Sequence, residues 1–180
     1  MKKVSESEWK EAMGNLMVRR ASGGSTSKPA YNIAGDYKRH LTSCKPGKSV
    51  LDVGCGHMAI KQYLPKGTQY TGIDPFPCVD GVIKMKMEEC SFSDKSFETV
   101  VAFAVLDGVN DFDMTMHHIA RVCSRNIVIL TGVEIPIDKF HTFMISELEI
   151  DAALMKQGFK KSYREELGNR KILLLEYARN

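Results

Sequence analysis

The sequence predicts an α/β fold: a doubly wound sheet of seven strands, the last antiparallel, with helices on both faces. Three observations carry this. From residue 49 onward, short apolar runs alternate with amphipathic ones, the pattern of a parallel sheet with helical crossovers. The runs at 97–105 and 126–131 are continuously apolar, as in strands covered on both faces. The chain closes on two β-rich runs around Gly168-Asn169, a turn signal that makes the last strand antiparallel.

Taken in order, residues 5–18 show helical spacing, with Trp9, Met13, Leu16 and Met17 near one face. Ser5 and Glu8 have the spacing of a capping box at its start. A Gly/Ser/Thr-rich stretch at 21–28 reads as a loop, and 31–41 as a second short helix ending before Pro46-Gly47. Strands are expected at 49–53, 69–73, 82–87, 97–105, 126–131, 160–165 and 171–177. Helices are expected at 58–64, stopped by Pro65, at 112–122, and at 147–157, closed by Gly158. The chain thus divides into an N-terminal helical segment, 1–47, and an α/β domain, 48–180.

The most informative stretch is Val50-Leu51-Asp52-Val53-Gly54-Cys55-Gly56. A buried strand runs into a glycine loop and a helix is expected to follow. Gly54 permits a tight turn, and Gly56 lets the main chain approach a ligand without a Cβ in the way. Free N–H groups at the following turn would face a polar ligand. Asp52, at the strand end, can receive donors from an ammonium group. Asp74 ends the second strand, twenty-two residues after Asp52, where an acid can accept both hydroxyls of a ribose. Together these point to an adenosine-type cofactor lying across the strand ends.

At these residues the chain resembles the Rossmann-like S-adenosylmethionine (SAM)-dependent methyltransferases, in particular the group whose first motif reads L-D-V-G-C-G. Four later stretches continue the resemblance, which covers about residues 48–178. Phe92 to Val100 is similar to the group's P-F-x-D-x-S-F-D-x-V, and Val105 to Asp111 to its L-e-H-v-x-D stretch. Arg121-Val122 matches a helix end, and His141 to Leu148 followed by Gly158-Phe159 matches its H…E-L…G-F pattern. The resemblance implies that Asp52, Gly54, Cys55 and Gly56 hold the methionine moiety and Asp74 the ribose. It implies that Pro75 and Phe76 cover adenine, that the backbone near Met87 meets its edge, and that Phe103 and Ala104 lie beside the sulfonium.

There are departures from the family pattern. Met58 stands where a third glycine is frequent, and Lys86 where an adenine-bonding Asp is common, so that bond either comes from a neighbour such as Glu88 or is absent. Gly108 replaces a frequent histidine, and Ser124-Arg125-Asn126 stands in place of P-G-G.

Methyl transfer needs alignment and exclusion of water, and a general base only where the acceptor is protonated. Asp107 and His141 are the candidate catalytic residues, since both fall on loops after strands of the sheet. Residues 1–48 carry ten Lys or Arg against four Asp or Glu, in a chain of net charge +3. This basic segment is expected to steer the acceptor, and residues 1–40 of it to act as a lid over the cofactor pocket, with a basic linker as the alternative. A small molecule is the expected acceptor, with RNA or protein as alternatives.

The five cysteines are scattered singly and form no metal-ligand spacing, so no metal is expected and a cytoplasmic location is. No apolar run is long enough to span a membrane. Two other functions fit parts of the pattern. Gly54 to Ala59 satisfies the G-x-G-x-x-A of a nicotinamide-dependent oxidoreductase. The departures also suit a non-catalytic partner subunit with a methyltransferase-like fold.

Overall fold

The computed structural model describes residues 3–21, 40–41, 44–167 and 171–180. The Ser/Gly loop at 22–28, most of the helix expected at 31–41 and the Gly168-Asn169 turn lie outside the described residues. Seven strands form one sheet in the order β3-β2-β1-β4-β5-β7-β6. They are β1 (Ser49–Val53), β2 (Gln69–Asp74), β3 (Ile83–Lys84), β4 (Phe97–Phe103), β5 (Cys123–Gly132), β6 (Phe159–Leu167) and β7 (Ile172–Arg179). The expected antiparallel last strand is present: β7 lies between β5 and β6, with Asn126 opposite Ala178 and Gly132 opposite Ile172.

Strand order reverses between β1 and β4, which pair in parallel from Val50 opposite Thr99 to Val53 opposite Ala102. The loops leaving neighbouring strands therefore diverge there, and the crevice between them is where open α/β sheets take their ligands.

Side chains of successive strand residues alternate between two faces. On one face Leu51, Val53, Val100, Ala102, Ile127 and Ile129 join a core with Phe112, Met116 and Ile119 of helix α2 (Phe112–Val122) and Ile150 and Leu154 of helix α3 (Glu147–Met155). Both helices are capped as their sequences require. Asp111 accepts from the Met114 N–H at 3.0 Å, and Ser146 with Glu149 forms a capping box. On the other face Val50, Val101, Phe103, Val128 and Leu130 pack with Leu41, Cys44 and Ile60.

The second face carries less helix than the sequence suggests. The helix expected at 58–64 is instead a series of tight turns ending in a 3-10 turn, Lys61–Tyr63. Met58 explains this, because its φ of +55° breaks the right-handed run before a second turn can form. The third strand is likewise shorter than expected, with only Ile83–Lys84 pairing to β2 at the sheet edge. In place of P-G-G, Asn126 bonds Thr99 at 2.7 Å and donates to the Cys44 carbonyl at 3.1 Å. These bonds clip the N-terminal segment onto the sheet.

Helix α1 (Glu6–Ala21) starts at the capping box read from the sequence: Ser5 N–H donates to Glu8 at 2.8 Å and the Glu8 N–H to Ser5 Oγ at 3.3 Å. It joins neither sheet core. Trp9, Ala12 and Met13 form a separate apolar cluster, with Val4, Leu16 and Phe76 packed on it.

Candidate active site at the strand ends

The glycine loop is built by the end of β1 and held by the end of β2. Gly54 has φ +67°, and a Cβ there would lie 2.4 Å from Val105 Cγ2, so the turn is closed to any larger residue. Gly56 has φ +49° with open space where a Cβ would stand. Its N–H donates to Asp74 Oδ2 at 3.0 Å, while Asp74 Oδ1 accepts from the Phe76 N–H at 2.8 Å. Asp74 is only 3% exposed and ties the two loops together. A carboxylate has about four acceptor positions, so two remain for other donors.

Asp52 is equally buried, and its Oδ2 accepts the Tyr70 hydroxyl at 2.6 Å. Burial pushes its carboxyl up to about 7; the Tyr70 hydroxyl opposes this and the Asp74 charge adds to it. Asp52 is therefore a site that favours a cation beside it. The Cys55 side chain lies against Gly72, where an added Cβ would be 2.7 Å from its Sγ, on the same side as the Tyr70 hydroxyl that serves Asp52. Burial pushes the Cys55 thiol up to about 12, which keeps it in the weakly nucleophilic thiol form at neutral pH.

Of the residues expected around adenine, Pro75 and Phe76 are half-buried beside Asp74, and Met87 turns its side chain into the core. Phe103 does the same on the other face, whereas Ala104, at φ +54°, is exposed at the end of β4. Glu88 is committed elsewhere: its Oε1 accepts from the N–H groups of Asn110 and Asp111 at 2.7 and 3.1 Å. Lys86 pairs with Glu6 of α1 at 3.3 Å and with Glu89 at 2.9 Å.

The two candidate catalytic residues, 34 positions apart in sequence, come together. His141 Nε2 lies 3.7 Å from Asp107 Oδ2, and His141 Nδ1 lies 2.7 Å from Asp138 Oδ1. Burial raises the Asp107 carboxyl above its usual range, with His141 opposing. The Asp138 carboxyl lies below its usual range. Burial acts against this, and the Phe140 N–H and the His141 ring outweigh it. The backbone fixes the approach: Thr142 and Phe143 N–H both donate to the Asp107 carbonyl, at 2.7 and 3.2 Å. Beyond His141 the same segment walls a groove of about 820 Å³ with Ile137, Phe143, Met144 and Ile145.

Four residues of this region are not marked as site residues by the sequence. Tyr70, Lys86 and Trp9 gain their meaning from contacts distant in the chain. Asp138 had a usable signal, its spacing of three from His141. Among the described residues no group of three or more His, Cys, Asp or Glu is arranged to hold a metal, and no helix is long and apolar enough to cross a membrane.

Solved structures share this architecture at low identity. The magnesium protoporphyrin IX methyltransferase of Synechocystis PCC 6803, solved with bound SAM, is 16% identical, with a TM-score of 0.64 over 83% of this chain and 79% of its own. The 1,6-didemethyltoxoflavin-N1-methyltransferase of Burkholderia thailandensis, solved with 1,6-didemethyltoxoflavin and S-adenosylhomocysteine, is 11% identical, with a TM-score of 0.75 over 98% of this chain and 91% of its own. A SAM-dependent methyltransferase of Aquifex aeolicus is 16% identical, with a TM-score of 0.64 over 86% and 95%. Likeness at such identity establishes the fold. No curated protein matches the chain in sequence. The profile of the methyltransferase-domain family, in contrast, matches residues 27–133, more than half of the chain. With its glycine loop, its Asp74 clasp and its antiparallel β7, the chain belongs to the family of SAM-dependent methyltransferase domains.

Proposed function

We propose that the protein methylates a small organic acceptor held above the ends of β4 and β5, with α1 as the lid over the site. The observation that carries this reading is the Asp74 clasp, which presents the glycine loop and a buried carboxylate to one crevice. The residues fit SAM. Asp52 offers a buried carboxylate to an ammonium group, and Gly54, Cys55 and Gly56 offer backbone to the amino-acid moiety. Asp74 has free acceptor positions for ribose hydroxyls. Pro75, Phe76 and the Met87 backbone would border the adenine, and the backbone of Phe103 and Ala104 would close the β4 side.

When bound, the cofactor supplies a methyl group on a sulfonium that already leaves well, so the chain has chiefly to align the acceptor and exclude water. With His141 as the Nδ1–H tautomer, donating to Asp138 at 2.7 Å, Nε2 is left as the proton acceptor, 3.7 Å from Asp107 Oδ2. A hydroxyl or amine acceptor would give up its proton there. Asp107, raised by burial, holds the ring's other edge.

The groove wall, with Ile137, Phe143, Met144 and Ile145 beside Glu134, Ser146, Glu149 and Lys171, suits a small organic acceptor with both apolar and polar parts. In addition, Lys3 and Lys10 of the basic segment are paired within the chain, with Asp111 and Glu6. Family membership sets aside the nicotinamide oxidoreductase. A cytoplasmic location rests on the five cysteines, all free.

Calorimetric titration with S-adenosylhomocysteine tests the cofactor reading. Asp74→Ala should weaken binding by about 1–3 kcal/mol, the cost of unpaired hydrogen-bonding groups. Unchanged affinity in a folded variant would overturn the assignment.

A further inference from the structure

We propose that Trp9 belongs to the cofactor site, its indole forming with Phe76 a clip that takes the adenine base. The inference rests on the SAM reading above and extends it to a residue of the N-terminal helix. The indole stacks on Phe76 with ring centroids 5.5 Å apart and planes 24° from parallel. Phe76 is itself positioned by Asp74, which accepts its N–H, so the stack is built on the residue two beyond the ribose carboxylate. The indole N–H donates to the Gly108 carbonyl at 3.0 Å, in the turn that follows β4. Trp9 thus spans from the exit of β2 to the exit of β4, the two strands that flank β1 and its glycine loop. An adenosine that starts at the glycine loop and is held at Asp74 must pass beneath that span.

Charge and burial point the same way. Lys86 Nζ stands 5.0 Å from the indole centroid and is anchored by Glu6, one turn earlier on α1. Trp9 is 5% exposed and, with Ala12 and Met13, is buried in a cluster separate from both sheet cores. Further along, Asn15 donates to the Lys139 carbonyl at 3.4 Å, beside the loop of His141. The helix therefore lies across both halves of the site.

A base sandwiched between two rings needs about 7 Å between them, two van der Waals gaps. The present 5.5 Å requires the indole to part from Phe76 when adenine enters. Trp9 is the only tryptophan in the chain, so intrinsic fluorescence reports on this residue alone.

The test titrates the full chain with S-adenosylhomocysteine, following tryptophan emission and calorimetric heat together, and repeats the calorimetry on Trp9→Ala and Trp9→Phe. Emission should change along the calorimetric isotherm. Trp9→Ala should bind about tenfold more weakly or worse, and Trp9→Phe within about threefold of the native chain, as expected for base–aromatic stacking. Methionine, which lacks the base, should leave the emission unchanged. Binding of S-adenosylhomocysteine without an emission change, or with equal affinity in Trp9→Ala, would overturn the clip while leaving the cofactor reading intact. Absence of heat with the native chain would overturn the cofactor reading and the clip with it. Should Trp9→Ala fail to fold, the native emission titration and Trp9→Phe decide the matter.

Discussion

Replacing Tyr70 by Phe removes one hydroxyl and should move the pH at which the protein accepts its cofactor. The Tyr70 hydroxyl donates to Asp52 Oδ2 at 2.6 Å inside a buried site. Burial has already raised the Asp52 carboxyl to about 7, and this bond is what holds it from rising further. A hydrogen bond to a charged group contributes ~1.5–3 kcal/mol, and 1.36 kcal/mol corresponds to one pH unit, so Tyr70→Phe should raise the midpoint by about one to two pH units. The ionised carboxylate, not the acid, attracts an ammonium group. Affinity for S-adenosylhomocysteine should therefore rise with pH through about 7 in the native chain and through a higher midpoint in the variant. Below the midpoint, binding should release a proton, seen as a binding enthalpy that depends on the buffer.

The stability sign follows from the same direction. The folded-state value is above the ordinary one, so the folded chain holds the extra proton between the two. Asp52 then favours folding most at low pH, and that contribution is lost as pH rises towards about 7. Calorimetric titrations in two buffers across the neutral range provide the assay. Identical pH dependence in the two proteins, or affinity that falls as pH rises, would refute the reasoning.

Three further outcomes are expected. Met58→Gly should relieve a left-handed residue costing ~1–2 kcal/mol, partly offset by the ~0.5–1 kcal/mol of chain entropy that glycine loses, and should raise the melting temperature by about 2 °C; a lower melting temperature would show that the Met58 side chain packs usefully. Gly54→Ala should destabilise by about 2 kcal/mol or more, from its positive φ and the 2.4 Å approach to Val105, and Val105→Ala should recover only the steric part in a double-mutant cycle. His141→Gln should lower turnover of an acceptor by ~10²–10⁴ while S-adenosylhomocysteine affinity stays unchanged, and Asp138→Asn should lower it less; a matching loss of cofactor affinity would place His141 on the wrong side of the site.

Local pattern is enough to read most of the sheet, because the central strands advertise their own burial, whereas the exposed edge strand β3 is shorter than its sequence suggests. The continuous apolar run of β5 and the closing hairpin are examples. The glycine loop and Asp74 were legible for the same reason, being tied to strand ends by fixed spacing. What escaped reading depends on geometry between distant segments. Helical spacing showed that Trp9 shares a face with Met13, but not that this face meets Phe76 and Gly108. Glu88 was free in sequence to meet adenine; in the fold, Asn110 and Asp111 claim it. The turns at 58–64 were misread as a helix because residue type alone does not reveal a positive φ at a methionine.

That short connection has a kinetic consequence. Residues 54–68 cross from β1 to β2 without an α-helix, and their N–H groups are held by three-residue turns such as Met58 to Cys55 and Lys61 to Met58. An isolated turn opens without waiting for its neighbours, whereas a helix frays only from its ends. Amide hydrogen exchange in the loop should therefore proceed by local opening, well below the global unfolding energy that protects β4 and β5. A ligand seated on Gly56 has to close these turns one by one, so slow exchange at Cys55 to Lys61 becomes a direct measure of occupancy.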